Sequence, residues 1–282
     1  MRPAIAYTLF RLAVAIAIAV FPACPTFAQD ASAARIRVGG TGSGSVLLQR
    51  LAEKYRRVRP EVRIDVVMPP LGSNGGLRSL AAHRIDVVVL GWLPDPQQRS
   101  AGLVVVPWVQ TPLVLATSNG KKASGFSSAE LAAILRNGGG KWDDGSRINL
   151  VLRHPKETES ILLATQALAI KAAQEVAQDN RLTTFADTDL DAVDLLELTP
   201  GSLGITTLGL LKLKGSFLST LSLNGVAPSL PTLSRHEYPL VKTLYLGHDR
   251  SASRPVTDFV TWLKSSAVTP LLLETGHLVP MQ

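Results

Sequence analysis

From Arg35 onward the chain repeats one pattern: an aliphatic run, a loop of small residues, then apolar residues at helical spacing. Ile36 to Val38 is strand-like, Gly39-Gly40-Thr41-Gly42-Ser43-Gly44-Ser45 is the loop, and Leu47, Leu48, Leu51 and Tyr55 follow with a helical period. The β-branched run Val62 to Met68 is the next strand and Gly72-Ser73-Asn74-Gly75-Gly76 the next loop. A short helix over Gly76 to His83 and a buried strand over Ile85 to Leu90 complete the unit. Strands that alternate with helices pair in parallel through right-handed crossovers, so this part is an α/β layer. Each small-residue loop also aims unpaired backbone N–H groups and the positive end of a helix at one place. Two such loops close together in sequence predict one anion-binding mouth.

The pattern then changes and resumes. Leu103 to Ala116 is extended, broken by Pro107 and Pro112, and suits a passage from one lobe to another. Ser127 is an N-cap before a helix through Leu131 and Leu135, which Gly138-Gly139-Gly140 stops. Ile148 to Leu152 reads as a strand and Ser160 to Ala177 as one long helix. The segment from Thr199 to Ile205 is a turn into a short strand, Pro228 to Pro231 an extended passage, and Tyr238 to Leu246 a strand. Pro255 to Lys264 is an amphipathic helix with Phe259, Trp262 and Leu263 on one side. The end of the chain is expected to return to the first lobe.

Residues 1–28 stand apart from this pattern. Arg2 and Arg11 precede the apolar run Leu12 to Phe21, and Thr26-Phe27-Ala28 supplies a small-x-Ala cut site, so a cleaved secretory signal and an exported protein are expected. The lone Cys24 lies inside that segment, and Phe21-Pro22 before it fits a lipoprotein signal poorly. Cleavage removes two arginines and no acids, which takes the net charge from +7 to +5. The remaining basic residues are scattered and aromatics are few, which disfavours nucleic acid as a partner.

Other motifs read more plainly as structure. Gly40-x-Gly42 has Ser45 where a dinucleotide fingerprint needs its third glycine. Asp187, Asp189 and Asp191 match the first ligand positions of a calcium loop, but Ala192 and Leu198 replace its turn glycine and bidentate glutamate. That ladder reads as a solvated loop and helix start. Trp142 follows Gly139-Gly140-Lys141 where a phosphate loop needs Ser or Thr. The five histidines are far apart, so no metal site is read, and His154, beside Arg153, is the one placed to reach a ligand. Trp92 and Trp108 flank the expected cleft and hinge, with packing as the default role. No Gly-x-Ser-x-Gly elbow surrounds the loop serines, and no enzyme activity or cofactor is read.

Taken in order, Gly42-Ser43-Gly44-Ser45, Gly72-Ser73-Asn74-Gly75-Gly76 with Asp86, Gly140-Lys141-Trp142-Asp143, Arg153, Thr199-Pro200-Gly201-Ser202-Leu203-Gly204, and Tyr238-Pro239-Leu240 with Tyr245 resemble the phosphate-binding branch of the periplasmic solute-binding proteins of ABC importers. The resemblance implies an α/β fold of two lobes, two mixed sheets flanked by helices and joined by two extended crossovers. The lobes would be residues 35–112 plus 230–282 and residues 113–229, closing by a hinge on a small anion, phosphate or another oxyanion. It further implies a monomer that works with an inner-membrane permease. Its ligand set, carried onto this chain, is Gly42, Ser43, Gly44, Ser45, Ser73, Asn74, Gly75 and Arg153, with Gly91, Trp92 and Thr158 at the remaining positions. Here the family's Ser-Asp after the third strand is Leu90-Gly91, and its Gly-Ser-Gly-Thr helix start is replaced by residues that include Glu157 and Glu159. Both glutamates would compete with an anion for the same helix end. The alternative is an exported sensory or interaction protein that keeps the fold with an altered or lost ligand site.

Overall fold

A computed structural model describes residues 34–100, 102–118 and 124–280. The expected signal segment and Cys24 lie outside the described residues. The first part runs β1 (Ala34–Gly40), α1 (Gly42–Val58), β2 (Val62–Val66), α2 (Gly72–Ala81), β3 (Val87–Leu90), α3 (Pro96–Ser100) and the long β4 (Leu103–Thr117). β5 (Gly125–Phe126), α4 (Ser128–Arg136), β6 (Gly140–Lys141), β7 (Arg147–Arg153), α5 (Thr158–Ala164), α6 (Leu168–Gln178), β8 (Thr184–Ala186) and α7 (Asp189–Leu198) follow. β9 (Ser202–Thr207), α8 (Leu208–Lys214), β10 (Ser219–Leu223), α9 (Leu230–Ser234), β11 (Val241–Asp249), α10 (Arg254–Leu263) and α11 (Thr269–Glu274) complete the described chain.

The ladders follow the order β2-β1-β3-β11-β4-β9-β7-β6, with β10, β5 and β8 beside that path. β1 pairs in parallel with β2 and β3, as the strand-helix alternation requires, whereas β11 runs antiparallel to both β3 and β4. The mixed α/β architecture is the one expected, and β4 links its two sections. Leu103 to Pro112 pair with β11, while Leu113 to Ala116 pair with β9. A strand shared in this way fixes the two sections relative to each other through the backbone.

Each section has its own core. Leu47, Leu48, Leu51 and Tyr55 of α1 pack with β1 and with Phe259 and Leu263 of α10, burying one helical stripe against the sheet. Trp108 belongs to this cluster, and its indole N–H donates to the Leu263 carbonyl at 2.9 Å, so it is a core residue and does not face the cleft. A second cluster joins Leu131, Leu135, Trp142, Ile148, Leu150, Ile170 and Leu203, and includes Tyr238 and Leu240 ahead of β11. The Leu278 carbonyl and N–H pair with Gln110, which brings the end of the described chain back to the first section.

Two elements differ from the sequence expectation. The single helix over Ser160 to Ala177 is two, α5 and α6, because Thr165 donates its hydroxyl to the Leu162 carbonyl and Ala167 is extended. A hydroxyl that satisfies a nearby carbonyl gives the backbone an alternative to the helix ladder. Pro228 to Pro231 is not wholly extended: Ser229 caps α9, and Pro231 sits in the first turn, where its missing N–H costs nothing.

Candidate ligand-binding site

The N-termini of α1, α2, α5 and α7 converge on a cavity of about 230 Å³. From the first section, Gly42, Ser73, Asn74, Gly75, Arg78 and Trp92 line it. From the second come Arg153, Lys156, Glu157, Thr158, Glu159 and Asp189.

At α1 the N-cap is Thr41, in the extended conformation a cap needs, yet its side chain makes no cap bond. The Thr41 hydroxyl instead donates to Asp189 Oδ2 at 3.0 Å, and the Ser43 backbone N–H donates to the same oxygen at 3.0 Å. A carboxylate that accepts from the second residue of a helix does the work of an N-cap side chain. Here that carboxylate comes from the other section of the molecule. Asp189 is itself the first residue of α7, held there by a capping box in which the Thr188 hydroxyl accepts from the Asp191 N–H and the Asp191 carboxylate accepts from the Thr188 N–H. The Asp189 carboxylate therefore lies at the positive ends of two helices.

Lys242 completes the arrangement. Its ammonium donates to Asp189 Oδ2 at 3.1 Å, to Ser43 Oγ at 3.3 Å, and to Glu159. The Arg153 guanidinium lies 3.6 Å from Asp189 Oδ1 and 3.8 Å from Glu159 Oε2. It donates to the Ala186 carbonyl at 2.6 Å and to Glu157 at 3.2 Å. Lys242, Arg153, Glu159 and Asp189 are all buried, so two cations and two carboxylates cancel away from water. Burial alone would raise the Asp189 pKa, but the Lys242 ammonium, the Arg153 guanidinium and the Ser43 N–H outweigh it and hold the carboxyl far below its usual range. Burial would lower Lys242, and Asp189 with Glu159 reverse that and raise it. Asp189 and Lys242 are therefore both charged at neutral pH.

The sequence-predicted ligand set divides here. Gly42, Ser73, Asn74, Gly75, Trp92, Arg153 and Thr158 line one cavity, but Ser43, Gly44 and Ser45 do not. A Cβ at Gly44 would stand 2.4 Å from a Val89 methyl, so this glycine lets α1 approach β3. Ser45 Oγ is buried without a hydrogen-bond partner among the described residues. Ser73 Oγ accepts the Gly91 N–H at 2.9 Å. Gly91 itself is walled in: a Cβ there would stand 3.1 Å from Thr158 Oγ1 and 3.3 Å from Lys242 Cε.

One reading needs correction, and one residue of the site was missing from the set. Asp189 is not part of a solvated ladder, because 8% exposure and four contacts with donors place it at the centre of the site. His154 stacks on Phe185 with ring centroids 5.1 Å apart and faces Asp187 at 3.4 Å. Lys242 was absent from the predicted set. Its signal lies in the alternation of β11, where it shares a face with the fully buried Leu244 and Leu246.

A mixed α/β scaffold whose helix N-termini face one cavity across a shared strand is the fold of two-lobed solute-binding proteins. The chain belongs to the PBP superfamily, whose domain matches residues 25–267. Phosphate-binding protein PstS 2 of Streptococcus pneumoniae is 28% identical over 109 residues, 39% of this chain, and the match spans 36% of that relative's length. Among solved structures, a Clostridium perfringens protein with bound phosphate, assigned as a phosphate ABC transporter substrate-binding protein, superposes with a TM-score of 0.74 at 12% identity, over 88% of this chain and all of the other. An ABC-type phosphate transport receptor from Vibrio cholerae gives a TM-score of 0.63 at 18% identity, over 88% of this chain and 100% of that one. Identities this low establish the shared fold.

Proposed function

We propose that the protein is exported through a signal at residues 1–28 and captures a small anionic solute, an oxyanion or a small organic acid, for an inner-membrane ABC permease. The solute sits between a lobe of residues 35–112 plus 230–282 and a lobe of residues 113–229. The observation that carries this reading is the α2 N-terminus. Its N-cap, Leu71, offers no capping side chain, and Ser73, Asn74 and Gly75 line the cavity with the cations Arg78 and Lys156 and the neighbouring Thr158. Free N–H groups at a helix start, backed by cations, favour an acid group there. The phosphate held by the Clostridium perfringens protein belongs to the same class.

The test is a thermal-shift and calorimetric screen of phosphate, sulfate and small carboxylates. At a hundredfold excess over Kd the expected stabilisation is about 2.7 kcal/mol. Arg78→Ala should weaken the response, and silence across the panel sinks the reading. A second reading is favoured by one specific observation: at α1 the anion position is already filled by Asp189. An exported sensory or interaction protein with this fold would show no solute response yet retain a membrane receptor.

A further inference from the structure

At α1 three donors from the first section converge on one oxygen: the Thr41 hydroxyl, the Ser43 N–H and the Lys242 ammonium, at 3.0, 3.0 and 3.1 Å. Arg153 faces the second oxygen of the same carboxylate at 3.6 Å. A hydroxyl, a helix-terminal amide, an ammonium and a guanidinium around one negative group form the donor set of an oxyanion site. The occupant is Asp189, supplied from the opposite section. Gly42 fits the arrangement, since a Cβ there would stand 3.1 Å from Asp189 Cβ. Lys242 is 0% exposed and Arg153 5%, so the site is built from buried charge and is not a surface coincidence.

We propose that Thr41, Ser43, Lys242 and Arg153 form an oxyanion site that the chain fills with its own Asp189 carboxylate, which excludes inorganic phosphate from that position and ties the two sections together without solute. The proposal rests on the cleft being the solute site. It adds that a solute uses only the α2 side of the cleft while the α1 side is permanently ligated from within. A carboxylate is planar and carries one charge, whereas hydrogen phosphate is tetrahedral and carries up to two. Vacating the side chain leaves Lys242 and Arg153 against one buried carboxylate, Glu159, with the half-exposed Glu157 beside Arg153. The buried groups then carry one positive charge in excess, which faces a cradle of donors that a tetrahedral oxyanion satisfies.

The experiment compares the full chain with Asp189→Ala and Asp189→Asn, titrated with inorganic phosphate and sulfate by calorimetry. Asp189→Ala should bind phosphate at least tenfold more tightly than the unaltered chain. Asp189→Asn, which still fills the space, should not, and Lys242→Met on the Asp189→Ala background should abolish the gain. A folded Asp189→Ala chain with no gain, or an unaltered chain that binds phosphate as tightly as the variant, overturns the proposal. If Asp189→Ala does not fold, hydrogen exchange on the unaltered chain decides. The Ser43 amide should be protected without ligand and unchanged by saturating phosphate, and added protection on phosphate binding overturns the proposal. A silent solute screen with a phosphate gain in Asp189→Ala would sink the transport reading and leave this one standing, so the two fail separately.

Discussion

The N-termini of α1 and α2 are near twins in sequence and opposites in use. Both follow strands of the same sheet section, both start on glycine and serine, and both reach the same cleft. At α1 the positive end meets the Asp189 carboxylate, and beside it a buried ammonium and guanidinium are balanced by two carboxylates. At α2 the first-turn residues face the cavity with Arg78 and Lys156 nearby, and the Ser73 hydroxyl is turned to the Gly91 N–H. A glycine-serine loop before a helix thus marks where an anion is stabilised and leaves open whose anion it is. The answer lies in the residue that arrives from elsewhere in the chain.

Removing the cation at the filled end should have the largest effect. Lys242→Met leaves Asp189 and Glu159 buried with Arg153 as the remaining counter-charge, and breaking such a cluster costs about 3–5 kcal/mol. Urea unfolding reads this directly. A loss under about 1 kcal/mol would mean that water reaches the α1 pocket and that the two N-termini are alike after all. Restoring neutrality with Lys242→Met and Asp189→Leu together should recover part of the loss, since a buried pair replaced by apolar groups is often near neutral.

The dependence on pH separates the filled end from the rest of the core. Asp189 is held below its ordinary value of 3.8, so its contribution is complete above that value and is lost only as pH falls below it. His277 behaves differently. Burial pushes it down to about 4, its Nε2 has no hydrogen-bond partner among the described residues, and its ring packs against Gly209. The unfolded chain takes up its proton near the ordinary value of 6.5, so stability falls as pH drops from there towards 4, by up to about 3 kcal/mol. Stability curves should show that first loss removed by His277→Gln and the steeper loss below pH 4 retained. Asp189→Asn should do the reverse, at a cost near neutral pH of about 2 kcal/mol for its charge-assisted hydrogen bonds.

Much of this scaffold is legible in the residues, and the centre of the site is not. Local patterns give α1, β3, the Ser127 cap and the extended β4, because each depends on neighbours within a few positions. Asp189 looks like any acid in the first turn of a helix, where the dipole favours it, and its partners Thr41 and Ser43 lie 148 and 146 residues away. Nothing local predicts that pairing. Lys242 was closer to view: a lysine in phase with core leucines on a strand must be paired if it is buried at all. Gly44 and Gly76 have a packing reason to be glycine, since Cβ atoms there would stand 2.4 Å from Val89 and 2.6 Å from Val88. Those glycines serve the packing of helices on β3, and the same small residues make a loop look like a ligand cradle.

The smallest effect belongs to the open end, and it is the one that tells a solute site from a structural turn. Ser73→Ala removes the acceptor of the partly buried Gly91 N–H, which costs about 1 kcal/mol or less if water replaces it. Because the hydroxyl is already committed within the chain, solute affinity should change little, with the α2 backbone amides still presented. A large loss of affinity with little loss of stability would mean that Ser73 turns away from Gly91 to meet the solute. The α2 end would then be remade on binding, while the α1 end, ligated from within, stays as it is.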